Sequence, residues 1–356
     1  MADYFEVDFL GVETAKSGDA IALRYSIGGV EGVHVIDGGY IDTGSQVVDH
    51  IEKFYGSKII DNVVLTHPDS DHANGLRKVL EECDVKVLWM NRPWLYAEEL
   101  ISRFKTYQSI DALRSKLKQV YSASAELERI ANEKKIPIKS PFQGERIGPF
   151  DILAPSYHRY LELIVDSEKT PDVATESLSG VVSDGLRSIY SRITNLVRAV
   201  WGDEYFPTSP TSSENEMSVV QAGIINGKKI LFTGDAGRDG LSEAIDYSSQ
   251  VNFTLPGVNM FQVPHHGGRH NVSTEILDKI LGVRLIQPSG TTSWCGICSS
   301  AKEDKDHPKN SVKRAILHRG GHWSETEGKT VHWGTGIIRE GWTSIPQAVY
   351  PEEQED

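Results

Sequence analysis

Apolar and polar residues alternate loosely over residues 4–12, and residues 20–27 and 32–36 carry similar short apolar runs, the last stopped by Asp37-Gly38-Gly39. This pattern predicts three strands. Val47, Val48, Ile51 and Phe54 then fall on one face at helical spacing, which predicts a helix over 45–55. Two nearly continuous apolar runs, 59–65 and 85–90, read as buried strands, with a helix expected over 74–82 between them. Strands alternating with helices indicate an α/β layered fold.

The character changes near residue 91. Residues 98–118 and 123–135 read as helices rich in both charge signs, 150–153 as a short strand and 178–201 as an amphipathic helix. No linker composition cuts this stretch off. Residues 91–205 are therefore expected to be a helical insertion or cap within one domain spanning 1–345. Residues 206–216, rich in Pro, Thr and Ser, read as a loop. The β pattern returns at 218–225, 229–232, 258–263, 283–287 and 329–339, with helices expected at 240–247, 274–281 and 311–318. The acidic residues at 346–356 are expected to form a disordered tail.

Fifty acidic against 37 basic side chains give a net charge of −13. That disfavours coating duplex DNA by bulk charge, but not a nuclease that grips its substrate through bound ions. Cys83, Cys295 and Cys298 are too few for a disulfide-built fold. No apolar run approaches the roughly 18 residues of a membrane span, and the first residues lack a basic segment followed by an apolar core. A cytoplasmic location without membrane contact is the expectation.

The chemistry concentrates in three places. Thr66-His67-Pro68-Asp69-Ser70-Asp71-His72 packs four possible metal ligands, His67, Asp69, Asp71 and His72, directly behind a buried strand. Imidazole and carboxylate suit zinc, manganese or iron, and such density suits a two-metal centre. A capping turn needs only one Asp and no histidine. Thr233-Gly234-Asp235 ends a second apolar strand, and Val263-Pro264-His265-His266-Gly267 follows a third. All three can converge on one sheet edge.

Strand–HxDxDH, strand–TGD and strand–PHHG together resemble the metallo-β-lactamase-fold hydrolases, and most specifically the branch containing the hydrolase domain of the competence protein ComEC/Rec2. Asp37, in Val35-Ile36-Asp37-Gly38-Gly39, resembles the Asp that supports the metal loop in this fold, and Asn215 and Ser218 resemble the branch's Asn/Ser segment before the TGD strand. The resemblance covers roughly residues 3–90 and 205–340. It implies an αββα sandwich in which His67 and Asp69 hold a first ion, Asp71 and His72 a second, Asp235 bridges them and His265 is the last ligand. His266 supports the site or exchanges roles with His265. The family's usual second histidine is Asp69 here, which shifts preference toward hard ions such as manganese. The histidine that often completes the first site before the GD strand is also missing, since Glu214, Asn215 and Ser218 stand there, leaving that site carboxylate-rich, weak or open.

The implied activity is metal-dependent hydrolysis of a phosphodiester by a hydroxide held between two divalent ions, zinc or manganese, with Asp71 orienting it and His307 serving the leaving oxygen or clamping phosphate. Nucleic acid, DNA first, is the implied substrate. The competing readings are a small-molecule esterase of the same fold, acting on a small phosphodiester, cyclic nucleotide, lactone or thioester, and a silent partner subunit. A protein partner, or a second copy, would dock on the helical insertion. Arg187, Arg192 and Arg198 at near-helical spacing read as a solvated face. Cys295-Gly-Ile-Cys298 reads as a reduced loop pair.

Overall fold

The computed structural model describes residues 3–170 and 196–356. In chain order the strands are Tyr4–Phe9 (β1), Ala20–Ile27 (β2), Val30–Gly38 (β3), Ile59–Ile60 (β4), Asn62–Val64 (β5), Asp84–Val85 (β6), Leu88–Trp89 (β7), Ile138–Lys139 (β8), Arg146–Ile147 (β9), Phe150–Ala154 (β10), Leu196–Arg198 (β11), Val220–Ile225 (β12), Lys228–Phe232 (β13), Met260–Gln262 (β14), Cys295–Cys298 (β15), His322–Glu325 (β16), Val331–Thr335 (β17) and Glu353–Glu355 (β18). The α-helices are Ile41–His50 (α1), Ser70–Ala73 (α2), Leu76–Glu82 (α3), Ala97–Leu100 (α4), Ile110–Val120 (α5), Ser122–Glu133 (α6), Tyr157–Asp166 (α7), Ser213–Glu216 (α8), Arg238–Ser248 (α9), Thr274–Leu281 (α10) and Asn310–His318 (α11).

Two seven-stranded sheets result, in the orders β17-β1-β2-β3-β5-β7-β8 and β16-β15-β14-β13-β12-β10-β9. The period-two rule decides what lies between them. Phe5, Val7 and Phe9 of β1 share a core with Phe150, Ile230, Phe232 and Ile297 of the second sheet. The other face of the first sheet meets helices, with Val35 and Val63 packed among Val47, Leu76, Leu117 and Leu127. The outer face of the second sheet does likewise, Leu231 and Phe261 joining Leu241, Leu277 and Ile316. Three apolar cores separate four layers, the αββα sandwich that the motif order implies. Among the described residues no helix is long and apolar enough to cross a membrane.

Several elements differ from their sequence expectation. Segment 91–205 is not purely helical: it supplies β8 to the edge of the first sheet, and β9 and β10 to the second. The helix expected at 98–118 is broken, with α5 starting only at Ile110, where Ser109 accepts the Ala112 N–H as N-cap. The helix expected at 178–201 lies outside the described residues as far as 195, as do Arg187 and Arg192; Arg198 sits on β11. No strand forms at 283–287, where Val283 and Ile286 are 75% and 98% exposed. Cys295–Cys298, read as a loop pair, is instead the strand paired in parallel with β14 on one side and β16 on the other. A strand covered on both faces shows no alternation to mark it. The acidic end is also ordered. β18 pairs with β11, Gln354 is fully buried, and the Glu355 carboxylate accepts the Asn310 and Ser311 N–H groups at 2.8 and 3.0 Å at the start of α11. A carboxylate there satisfies donors that the helix leaves free.

On the outer face of β1, Glu6 and Asp8 are buried but fully engaged. Arg339 reaches both, at 2.8 and 2.6 Å, Tyr55 donates to Asp8 at 2.7 Å, and His332 Nδ1 lies 2.8 Å from it. Burial pushes the Asp8 carboxyl up, yet His332, His50 and Arg339 outweigh it and hold it below the usual range.

His34, on the inner face of β3, is different. It is fully buried edge-on to Phe150, with 5.5 Å between rings, and neither ring nitrogen has a hydrogen-bond partner. Burial pushes its pKa down to about 3 from 6.5. Between these values the unfolded chain binds a proton that the folded chain refuses, so stability falls as the pH drops from 6.5 toward 3. Urea unfolding of the metal-free protein is expected to lose about 3 kcal/mol from this residue between roughly pH 7 and 4.5, and His34→Leu is expected to be flatter by that amount. Equal losses in the two proteins would refute this assignment.

Candidate metal centre

β5 ends at Val64 and releases Thr66 and His67 at the sheet edge, and α2 carries Asp71 and His72 back over it. The turn after β3 holds this loop. Gly75 approaches it so closely that a Cβ would lie 1.8 Å from the Gly38 carbonyl oxygen. Asp37, buried and left-handed at φ 56°, accepts the Thr66 N–H at 2.8 Å and its hydroxyl at 2.6 Å, and lies 2.7 Å from His72 Nδ1. That contact leaves the His72 Nε2 facing the centre. A carboxylate behind a ligating histidine is the usual way of fixing ring orientation and basicity.

Asp235 follows β13. Its N–H is received by Ser218 Oγ at 3.1 Å and its carbonyl accepts from Asn271 at 2.7 Å. Gln262 ties the turn together: its amide oxygen accepts the Thr233 and Gly234 N–H groups, and its amide nitrogen donates to Asp19 at 2.8 Å. After β14, His265 and His266 are both left-handed, at φ 49° and 53°. Two consecutive non-glycine residues in this region store strain of the kind found at functional sites. The turn aims the two rings differently. His266 Nε2 lies 3.6 Å from Asp71 Oδ2 and 3.7 Å from Asp235 Oδ2. His265 Nδ1 lies 2.6 Å from Asp235 Oδ2 and 3.2 Å from Asn215 Nδ2.

The structure thus brings His67, Asp71, His72, Asp235, His265 and His266 together, with three overlapping groups of potential ligand atoms: His67, His72 and Asp235; Asp71, His72 and His266; Asp235, His265 and His266. Asp37, Asn215 and Ser218 stand behind them as described. Asp69 lies at the margin, 3.9 Å from His67 Nε2, and its other oxygen accepts from Lys169 at 2.6 Å. His307 is at the rim, its ring 5.2 Å from that of His265, with Asp304 Oδ2 3.5 Å from its Nδ1. Asp304 in turn accepts from the Ser17 N–H and hydroxyl.

The charges are crowded. Burial pushes the Asp235 carboxyl up, but His72, His266 and His265 hold it well below the usual range. Burial pushes His72 down, but Asp235 and Asp37 raise it well above 6.5, and against burial Asp235, Asp71 and Asp19 raise His266 to about 9. Both imidazoles are raised because they face carboxylate charge that a bound cation would balance. The orphaned atoms agree: Nε2 of His67, His72 and His266 and Oδ1 of Asp235 are buried without a hydrogen-bond partner. Buried polar atoms are rarely left so, and these are donor types that divalent ions take. The residues fit a metal.

Sequence reading missed Asp19, Gln262, Lys169 and Asp304. Asp19 and Lys169 reach the centre from elements distant in the chain, whereas Gln262 and Asp304 lie three residues before His265 and His307, and no local pattern marks any of the four. A cleft of about 300 Å³ opens beside the centre, lined by Asp69, Ser70, Asp71, Ser122 and Lys169 among others.

Residues 31–145 match the family described as the metallo-beta-lactamase superfamily. No curated protein matches the chain in sequence. Among solved structures, the chain is similar to the metallo-beta-lactamase fold protein YhfI from Bacillus subtilis, at 10% identity over 93% of this chain and 99% of that one, with a TM-score of 0.42. It is similar to a diphosphatase of the PhnP family, at 12% identity over 93% and 98%, with a TM-score of 0.38. It is also similar to AidC, a dizinc quorum-quenching lactonase, at 8% identity over 61% and 56%, with a TM-score of 0.29. The matched stretch, residues 31–145, carries Asp37 and the His67–His72 loop, so the likeness to the metallo-beta-lactamase superfamily falls on the segment that supplies the first ligands of this centre.

Proposed function

We propose that this protein is a metal-dependent phosphodiesterase. The carrying observation is the convergence of four buried, unpartnered ligand atoms, from His67, His72, His266 and Asp235, beside an open cleft. Asp71, His72, Asp235 and His266 are the proposed ligands, with His67 and Asp69 on the other side of the centre. A divalent ion, zinc or manganese, supplies a water acidic enough to lose its proton near neutral pH and positive charge for phosphoryl oxygens.

The chain's own residues do the rest. Asp37 holds His72 in one orientation, and Ser218, Asn271 and His265 hold Asp235. The Asp71 carboxylate, a quarter exposed, faces the cleft and orients the attacking water. His307, steadied by Asp304, stands at the rim where a leaving oxygen needs a proton. The HxDxDH order, which resembles the ComEC/Rec2 branch, favours a nucleic-acid strand. The net charge of −13 and the cleft of about 300 Å³ favour a short or single-stranded phosphodiester over a duplex.

Dialysis against a chelator is expected to abolish hydrolysis of bis-p-nitrophenyl phosphate, and zinc or manganese to restore it. Turnover that survives complete metal removal would sink the proposal. Comparing a single-stranded oligonucleotide with a cyclic nucleotide and a lactone in the restored enzyme then separates the substrate classes.

A further inference from the structure

Asp69 differs from the other candidate ligands in already having a cation. Its Oδ1 accepts from Lys169 Nζ at 2.6 Å, whereas the neighbouring histidine Nε2 atoms have no partner. Among the described residues Asp69 joins no group of three mutually close ligand atoms. Asp71, His72 and His266 form one such group, and the Nε2 atoms of His72 and His266 also reach Asp235 at 3.4 and 3.7 Å. The other side offers His67, the shared Asp235, and a carboxylate committed to an ammonium.

Lys169 is delivered there by a braced segment. Two residues earlier the Ser167 hydroxyl donates to the buried Glu214, which also accepts from Tyr121, and one residue later the Thr170 hydroxyl donates to the Ile164 carbonyl at 2.8 Å. Ser167, Thr170 and Glu214 are all buried. The ammonium lines the cleft together with Asp69 and Asp71. An ammonium has three donors, and one is spent on Asp69.

We propose that Lys169 serves as the second cation of this centre. Its ammonium neutralises Asp69 in place of a metal ion and turns its remaining N–H donors to an anionic oxygen of the substrate in the cleft. This rests on the metal-centre reading above. A positive charge hydrogen-bonded to Asp69 beside His67 repels a divalent ion a few ångströms away, while a compact ammonium is a competent phosphate-binding point charge. The chain accordingly holds one ion tightly, between Asp71, His72, Asp235 and His266.

The test is calorimetric titration of the metal-free protein with Zn²⁺ or Mn²⁺, using wild type, Lys169→Met and Lys169→Arg. The Lys169 side chain is 47% exposed, so both substitutions leave the fold intact, and thermal melts check this. One tight equivalent is expected for wild type and Lys169→Arg. Lys169→Met is expected to bind the second equivalent about ten-fold or more tightly than wild type does, because the repelling charge is gone. With one equivalent bound, its kcat/KM for bis-p-nitrophenyl phosphate falls, while Lys169→Arg retains most of it. Two tight equivalents in wild type, unchanged in Lys169→Met, would overturn the role of Lys169 and leave the hydrolase reading standing. No metal binding in any of the three would overturn both.

Discussion

His266→Ala is expected to remove tight metal binding and turnover together, and His265→Ala to weaken both only in part. The two histidines are adjacent and chemically identical, so the difference must come from where their nitrogens point. Ligand atoms ~2.1 Å from a tetrahedral ion lie ~3.4 Å from one another. His266 Nε2 meets Asp71 and Asp235 at 3.6 and 3.7 Å, and His72 Nε2 meets Asp235 at 3.4 Å. Those spacings suit a shared ion. His265 Nδ1, at 2.6 Å from Asp235 Oδ2, is at hydrogen-bond distance instead, and its ring is 28% exposed. His265→Ala is expected to cost the roughly 10–100-fold in metal affinity that losing an orienting partner costs, and His266→Ala more than about 100-fold. Competition with a chelator of known affinity measures both, and kcat/KM should fall in the same order. A larger effect at His265 would reverse the two assignments.

Asp37→Asn is the second large effect, and it reads out in two ways. Asp37 never reaches the centre, yet it holds three groups: the Thr66 N–H, the Thr66 hydroxyl and His72 Nδ1. Its φ of 56° is tolerated by Asn, so the substitution tests charge and hydrogen bonding rather than backbone strain. The amide can accept where the carboxylate accepted once, but its NH₂ then opposes another donor. In the metal-free protein the positively polarised His72 loses its buried counter-charge, for an expected loss of about 3 kcal/mol in unfolding free energy. In metal titration His72 is no longer held in one orientation, and affinity is expected to fall by about 10–100-fold. Asp37→Ala should be worse on stability, since Ala is strained at this φ. If the Asp37→Asn protein melted like wild type and bound metal with wild-type affinity, the loop would be shown to hold its shape without the carboxylate.

Short-range information was legible in the chain. The period-two pattern of Phe5, Val7 and Phe9 and the helical stripe of Val47, Val48 and Ile51 name their own elements, because a residue's face follows from its spacing alone. The three motifs were legible for a related reason: each is a strand end followed by side chains whose types are costly to place together without a ligand. Pattern failed where both faces of an element are covered. Cys295–Cys298 is an interior strand and carries no alternation, so the exposed apolar run at 283–287 drew the assignment instead. The acidic end reads as disorder by composition, and its order comes from β11 and the start of α11, which no local pattern announces.

The sequence by itself therefore determined the α/β class, the order of the ligand-bearing loops and the chemistry of their side chains. Only the tertiary structure decided which atoms meet. It turned His266 rather than His265 toward Asp71 through two left-handed residues. It brought Asp19 behind His72 and His266, and Lys169 onto Asp69 across 100 positions of chain. Spacing along the chain encodes the face of a strand or helix, but the partner of a side chain depends on how separate layers stack, and that is set by the three apolar cores acting together.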